Sequence, residues 1–353
     1  MKSKKLLLIL FFLFLLSACQ IFLGPDPDDS PEAILKNLWD DFDKIHAYLD
    51  IRMSHNQRFA NWHDVYHNKD IGYAQRVFPG ISESSLFNLC ALMLRELNDP
   101  HVGLFAPGKF ASSYTEARED FSLDRVRFNL NDGGNNNYRN FLYGTFISDP
   151  SIGYIYITSF VAENFEPEHW DWGKAITNIV NALSDTDALI LDIRNNRGGD
   201  FFIMEYIASH FVSVPSDYLM SRIKNAPGHN EFYPPRIHTI RPGGIRYTKN
   251  IVLLTNKGTV SAAEWFTMAL RTQNHITHVG TATCGAFSVR INRPMINGWY
   301  YSISSERVTD MDGQIYEGTG VSPGKDFIFE YGNDDNQLME ALNLAIELGI
   351  PKT

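Results

Sequence analysis

"ALILDIRNNRGGDF" spans residues 188–201. An unbroken apolar run closed by turn residues reads as a strand buried on both faces. It ends on Asp192, Arg194, Asn195 and Asn196, and Gly198-Gly199 follow before the next helical pattern. Adjacent glycines let a backbone come close to a bound group with its N–H donors outward, although a glycine pair also marks an ordinary tight turn. On the N-terminal side lie the β-prone "IGYIYITSF" (152–160) and the helical "WGKAITNIVNAL" (172–183). On the C-terminal side lie the helical "FIMEYIASHFV" (202–212), the buried strand "NIVLLTN" (250–256) and a helix that starts at Ser261. Strands alternating with helices predict an α/β core with parallel strands, in which ligands sit beyond the C-terminal strand ends.

The second such corner is "TNKGTVSAAEWFTMALR" (255–271). Ser261 and Glu264 form S-x-x-E ahead of an apolar run, the pattern of a helix capping box. A capping serine spends its hydroxyl on a backbone amide, whereas a nucleophile needs it free beside a base. The unpaired amides and positive end of a helix N-terminus also suit a developing oxyanion. The candidate base is His101, at the tight turn of "LRELNDPHVGLF", and the candidate acid is Glu317 in the Gly-rich "DGQIYEGTGVSPG".

The chain opens with Lys2, Lys4 and Lys5, an apolar run from Leu6 to Leu16, then Ser17, Ala18 and Cys19. Eleven apolar residues fall short of the about 20 that span a bilayer, and they suit the core of a signal peptide. Leu16-Ser17-Ala18-Cys19 resembles the lipobox of bacterial lipoproteins. We therefore expect a leader at 1–18, an acylated Cys19 and a Pro- and Asp-rich tether over 19–30. The expected location is the cell envelope, with the membrane as a partner. Loss of the leader lysines takes the net charge from −10 to about −13, which argues against a nucleic-acid partner. Cys90 and Cys284 are expected to be unpaired buried thiols rather than a bridge. The sequence has eleven histidines, no H-E-x-x-H and no C-x-x-C, so we expect no metal and no cofactor; His63 and His67, beside Trp62 and Tyr66, read as surface packing.

Ser30-Pro31 reads as a helix start, followed by apolar residues at helical spacing from Ile34 to Leu49. With helices expected over 61–78 and 84–97, residues 31–109 form a small N-terminal helical domain. Residues 110–150 are expected to be a small β-rich insert, with "DRVRFNL" and "NFLYGTFI" as its strands, and 151–353 the core. "HITHVGTA" and "RINRPMINGWYYSISSERV" supply further strands, and "NQLMEALNLAIELG" (336–349) a closing helix.

Taken in order, "NDPHVGL", "ALILDIRNNRGG", "NKGTVSAAEWF", "GTATCGAFS" and "YEGTGVSP" resemble the C-terminal-processing and tricorn-type serine peptidase family, over roughly residues 31–330. The resemblance implies a crotonase-like (Clp-protease-like) ββα core, and a serine peptidase that forms an acyl-enzyme on a peptide or unfolded protein. It implies Ser261 as nucleophile, His101 as general base, Glu317 as the group that orients the histidine, and the amides of Gly199 and Ala262 as the oxyanion hole. The family's Ser-Lys variant carries its lysine where this chain has Ala286, so that dyad is excluded. The segment between His101 and "IGYIYITSF" is too short for the PDZ domain of the dyad enzymes. Pro100 stands where archaeal tricorn enzymes have a serine, so Glu317 must reach His101 directly, through water or through another side chain. Related cores often form trimers or hexamers, in keeping with a homo-oligomer. The alternative reading is a non-catalytic binding protein for apolar ligands or peptides on the same fold; a crotonase-type acyl-CoA enzyme is disfavoured in an exported lipoprotein. Residues 215–247 are expected to border a substrate groove.

Overall fold

The computed structural model describes residues 28–114, 121–161, 172–224, 231–326 and 335–350. The leader, Cys19 and nearly all of the tether lie outside the described residues. Within them, no helix is long and apolar enough to cross a membrane.

The helices are α1 (Pro31–Ile45), α2 (Leu49–Ser54), α3 (Trp62–His67), α4 (Glu83–Arg95), α5 (Leu123–Phe128), α6 (Trp172–Ala182), α7 (Phe201–Ser209), α8 (Ala262–Arg271) and α9 (Asn336–Gly349). The strands of the first half are β1 (Gly103–Ala106), β2 (Lys109–Ser112), β3 (Asn135–Tyr138), β4 (Phe141–Thr145), β5 (Ile152–Ile157) and β6 (Ala188–Asp192). Then come β7 (Ser216–Ile223), β8 (Arg236–Ile240), β9 (Asn250–Thr255), β10 (Ile276–Gly280), β11 (Arg290–Pro294), β12 (Tyr300–Ser304), β13 (Glu306–Thr309) and β14 (Lys325–Asp326).

A seven-stranded sheet in the order β14-β10-β9-β6-β5-β4-β3 forms the centre. From β5 to β14 its neighbours pair parallel, while β4 and β3 run antiparallel at one edge. The apolar runs of β6 and β9 have no polar alternation because both faces are covered. Leu189, Leu191, Ile251 and Leu253 face the core shared with α6, α7 and α8. Ala188, Ile190, Val252 and Leu254 face Leu338, Ala341, Leu342 and Ala345 of α9. This is the mixed α/β, Clp-protease-like fold with parallel strands expected from the sequence.

Around residues 110–150 the arrangement differs from the sequence reading. "DRVRFNL" is not a strand: Leu123–Phe128 is helical, with Asp124 in its first turn, Arg125 and Arg127 in its last, and Val126 buried. The helix expected over 61–78 breaks after His67; Asn68 accepts the amides of Asp70 and Ile71 there, and only a short 3₁₀ turn (Tyr73–Arg76) follows. β3 and β4 continue the central sheet, and β1 pairs with β12 in the four-stranded sheet β11-β12-β1-β2. The helical N-terminal region thus shares one core with the far end of the chain: Phe42, Phe87, Leu94 and Leu104 pack with Trp299, Tyr301 and Ile303. α1 begins as read, with the Ser30 hydroxyl accepting the Ala33 amide at 3.3 Å and Pro31 in the first turn.

Candidate active site

Both corners lie at the C-terminal ends of adjacent parallel strands, β6 and β9, and three asparagines latch them together. The Asn256 side-chain oxygen, Oδ1, accepts the Asn195 main-chain amide at 2.9 Å and the Gly258 amide at 3.0 Å. Asn196 accepts the Gly198 amide at 2.8 Å, and its own main-chain carbonyl accepts the Val260 amide at 2.9 Å. Asn195 is held at φ 57°, a conformation that asparagine tolerates better than most residues.

Ser261 follows directly, at φ 62° and ψ −124°. An ordinary N-cap has extended backbone; this one is a sharp, strained strand-to-helix turn of the kind that presents a nucleophilic hydroxyl. A non-glycine residue in such a conformation costs about 1–3 kcal/mol and persists where its surroundings fix it. The main fixing group is Glu264, fully buried in α8. Its carboxylate accepts the Ser261 amide at 3.1 Å, the Thr283 hydroxyl at 2.7 Å, the Gly285 amide at 2.6 Å and the Ala286 amide at 2.7 Å. The capping-box arrangement is therefore present, but the Ser261 side chain makes no cap hydrogen bond of standard geometry. The Glu264 amide already has the Ser261 carbonyl as acceptor at 2.8 Å.

Gly198 abuts this turn. A Cβ there would stand 2.7 Å from the Ala262 nitrogen and 2.9 Å from the Ser261 Cβ, so only glycine lets the two corners come so close. The next residue, Gly199, has φ 143°, in territory reserved for glycine. The flanking amides are used, since Gly198 donates to Asn196 and Asp200 donates to the Phe160 carbonyl at 2.9 Å. Among the described residues, neither the Gly199 nor the Ala262 amide has a backbone acceptor.

His101 is buried at the end of α4, in a turn opened by Asn98 at φ 45°. Its amide donates to Asp99 Oδ1 at 2.8 Å, and its Nδ1 is enclosed without a hydrogen-bond partner among the described residues. Burial pushes the imidazole pKa down to about 4, against the pull of Asp99 and with the help of Arg290, Arg52 and His46. Asp99 itself accepts from His46 Nε2 at 2.9 Å (with the ring proton there) and from the Ser304 hydroxyl at 2.8 Å. Burial opposes its charge, but Arg52, His46 and His101 together hold the carboxyl well below the ordinary range.

Glu317 is buried as well, and its partner is Arg52 rather than His101. One oxygen is bound by the Arg52 Nη2; the other accepts the Phe287 amide at 2.7 Å and the Ser288 amide at 3.3 Å. Burial pushes this carboxyl up to about 7, against Arg52 and with the Asp99 charge adding to the rise. The structure therefore joins the Ser261, His101 and Glu317 segments through one buried polar network, with Arg52 and Glu264 between them. Ala286 sits fully buried in a small apolar cluster with Val260 and Cys284, against Tyr114. Cys90 and Cys284 are both free and buried. His63 and His67 stack on each other at 4.4 Å, with His67 edge-on to Trp39 at 4.9 Å.

Sequence reasoning did not single out Arg52, Asp99 and Glu264 as parts of the site. Asp99 lies two residues before His101 in the sequence, and Glu264 reads there only as a cap partner. Arg52 had no local signal at all, because it enters from a helix 46 residues before the carbonyl it contacts at Asn98.

Comparison with known proteins agrees with this architecture. The family model for Peptidase family S41 matches residues 151–326. The carboxy-terminal processing protease CtpB of Bacillus subtilis is 26% identical over 173 residues, which is 49% of this chain and 33% of that protein. The chain thus spans about a third of the length of this curated relative. Among solved structures, a candidate peptidase of Parabacteroides merdae superposes with a TM-score of 0.75 at 23% identity, covering 92% of this chain and 98% of that one. Mature CPAF superposes with a TM-score of 0.63 at 14% identity, covering 91% and 96%. These two likenesses speak for the fold, and the match to the Peptidase family S41 model covers residues 151–326, about half of the chain.

Proposed function

We propose that this protein is a serine peptidase that hydrolyses peptide bonds in a peptide or unfolded protein through an acyl-enzyme on Ser261. The observation that carries the reading is the Ser261 turn, a strained non-glycine residue at a helix start with the Gly198-Gly199 corner pressed against it. In this reading His101 takes the Ser261 hydroxyl proton as the oxygen attacks the scissile carbonyl. With Nδ1 enclosed, Nε2 is the nitrogen that acts. The Gly199 and Ala262 amides receive the oxyanion, and His101 then returns the proton to the leaving amine. Water repeats the sequence on the ester and frees the acid. The Glu317 role in orienting His101 passes through Arg52, the side chain that lies between the two segments. The name of the Bacillus relative suggests substrates cut near their carboxy termini.

The test is active-site labelling with a fluorophosphonate. Wild-type protein should be modified at Ser261 and Ser261→Ala should not, with peptide hydrolysis lost about 10⁴-fold or more. An unlabelled wild type would favour the binding-protein reading instead. We further propose that Cys19 is acylated after removal of residues 1–18, and that the tether holds the folded part at a bacterial envelope membrane. Intact-mass measurement of the membrane fraction would show the added acyl chains, and a water-soluble species without them would refute the anchor. Residues 215–247, which supply β7 and β8, remain our candidate border of the substrate groove; unchanged cleavage after shortening them would remove that role. Homo-oligomerisation is proposed on the habit of related cores and is read out by light scattering.

A further inference from the structure

Arg52 contacts the turn that carries His101, the Gly285 loop that supports Ser261, and Glu317. It comes from α2, outside residues 151–326, and is 8% exposed. Its Nη1 donates to the Asn98 carbonyl at 3.0 Å, at the left-handed residue that opens the histidine turn. Its Nη2 donates to the Gly285 carbonyl at 3.2 Å and to Glu317 Oε1. The Gly285 amide is bound to Glu264, which in turn holds the Ser261 amide. Its Nε lies 3.8 Å from Asp99 Oδ2. One planar fork thus reaches the turn of His101, the loop that supports Ser261, and the loop of Glu317. Lysine offers the same charge on a single point and cannot span those directions together.

Resting on the serine-peptidase reading above, we propose that Arg52 is a positioning residue for the active site, holding the His101 turn in register with the Ser261 elbow and coupling Glu317 to both. Its charge matters as well as its shape. The groups facing His101 are Asp99, Arg290, Arg52 and His46. Removing the guanidinium takes away one of the cations that keep the imidazole neutral, so the acid limb of the reaction should move to higher pH.

The experiment compares the full-length wild type, Ser261→Ala, Arg52→Lys and Arg52→Gln by fluorophosphonate labelling rate from acid to neutral pH, with thermal melting of each. The expected result is folded Arg52 variants that label about 10²-fold more slowly, the scale of a 1 Å misplacement, with the acid limb of Arg52→Gln raised. Labelling within threefold of wild type, with an unmoved limb, overturns the inference and leaves the peptidase reading standing. A uniform loss at every pH with an unmoved limb also overturns it, since that marks a merely structural arginine. If Arg52→Gln fails to fold, Arg52→Gln combined with Glu317→Gln removes the unpaired buried charge; failure of that pair to fold counts against positioning too. A wild type that does not label at Ser261 sinks both readings, and is told apart from the other outcomes by that control alone.

Discussion

Gly198→Ala perturbs the proposed oxyanion hole without removing any group from it. The new methyl would stand 2.7 Å from the Ala262 nitrogen, 2.7 Å from the Val260 carbonyl oxygen and 2.9 Å from the Ser261 Cβ. Ordinary contact begins near 3.4 Å, so the two corners must part by about 0.7 Å. The first two of these obstacles are backbone atoms, and the third sits directly on it; none can swing aside. Gly198 also has φ 79°, which costs an alanine about 1–2 kcal/mol. Overpacking adds about 1–3 kcal/mol, so the loss of stability should be about 2–5 kcal/mol. At about 2–4 °C per kcal/mol the melting temperature falls by about 4–20 °C. Displacing an oxyanion donor by most of an ångström approaches its removal, about 10²–10³ in rate. The assay is the second-order rate constant of fluorophosphonate labelling on protein shown to be folded by its melt. Gly298→Ala is the control: φ is 80° with nothing near a Cβ, so it should carry the strain alone and keep the wild-type rate. A folded Gly198→Ala variant labelling within threefold of wild type would refute the assignment of the Ala262 amide.

Four further outcomes follow from the buried groups of the site and its surroundings. In its proposed role as general base His101 works neutral, and with its pKa pushed down by burial to about 4 the acid limb of labelling should lie near pH 4; a limb near the ordinary 6.5 would refute the assignment. The same depression makes the folded state lose stability as pH falls from about 6.5 towards 4, because the unfolded chain takes up that proton first. Glu264→Gln turns one acceptor oxygen into a donor among four converging donors; with about 1–3 kcal/mol for each unsatisfied group, melting should drop markedly and labelling with it. Cys90 and Cys284 are buried thiols pushed up to about 12, in each case chiefly by burial. Site-resolved alkylation at neutral pH should leave both untouched in the native protein and modify both in denaturant.

The β6 and β9 strands were legible because both faces of the sheet are buried, and an uninterrupted apolar run has few other readings. The corners were legible as glycine and asparagine punctuation, though not the latch between them, since a hydrogen bond from Asn195 to Asn256 crosses 61 residues. "DRVRFNL" misled because alternating charged and apolar residues mimic strand periodicity over a few positions. In α5 the same residues put only Val126 inside and pair Arg127 with Asp124 at 3.9 Å, three residues apart. Ser261 was ambiguous as letters because S-x-x-E fits a cap and an elbow equally, and a positive φ has no spelling in sequence. Arg52 was invisible because its partners at 98, 285 and 317 meet only in the fold.

The position of Ala286 bears on where the proposed reaction draws its base. Its amide is bound to Glu264 at 2.7 Å and its methyl is fully enclosed with Val260 and Cys284. An ammonium there would displace that packing and compete for the carboxylate that fixes Ser261. The base proposed above, His101, is buried and is carried by the N-terminal region, outside residues 151–326. That region is held to residues 151–326 by the β1–β12 pairing, by the core around Trp299 and Tyr301, and by Arg52 on Gly285 and Glu317. The proposed nucleophile and base are therefore supplied from two parts of the chain whose docking sets their geometry. Substitutions that loosen the docking surface, such as Trp299→Ala, should slow labelling before they unfold the central sheet. Loss of labelling only in step with global unfolding, followed by circular dichroism on the same samples, would show instead that the two parts behave as one cooperative unit.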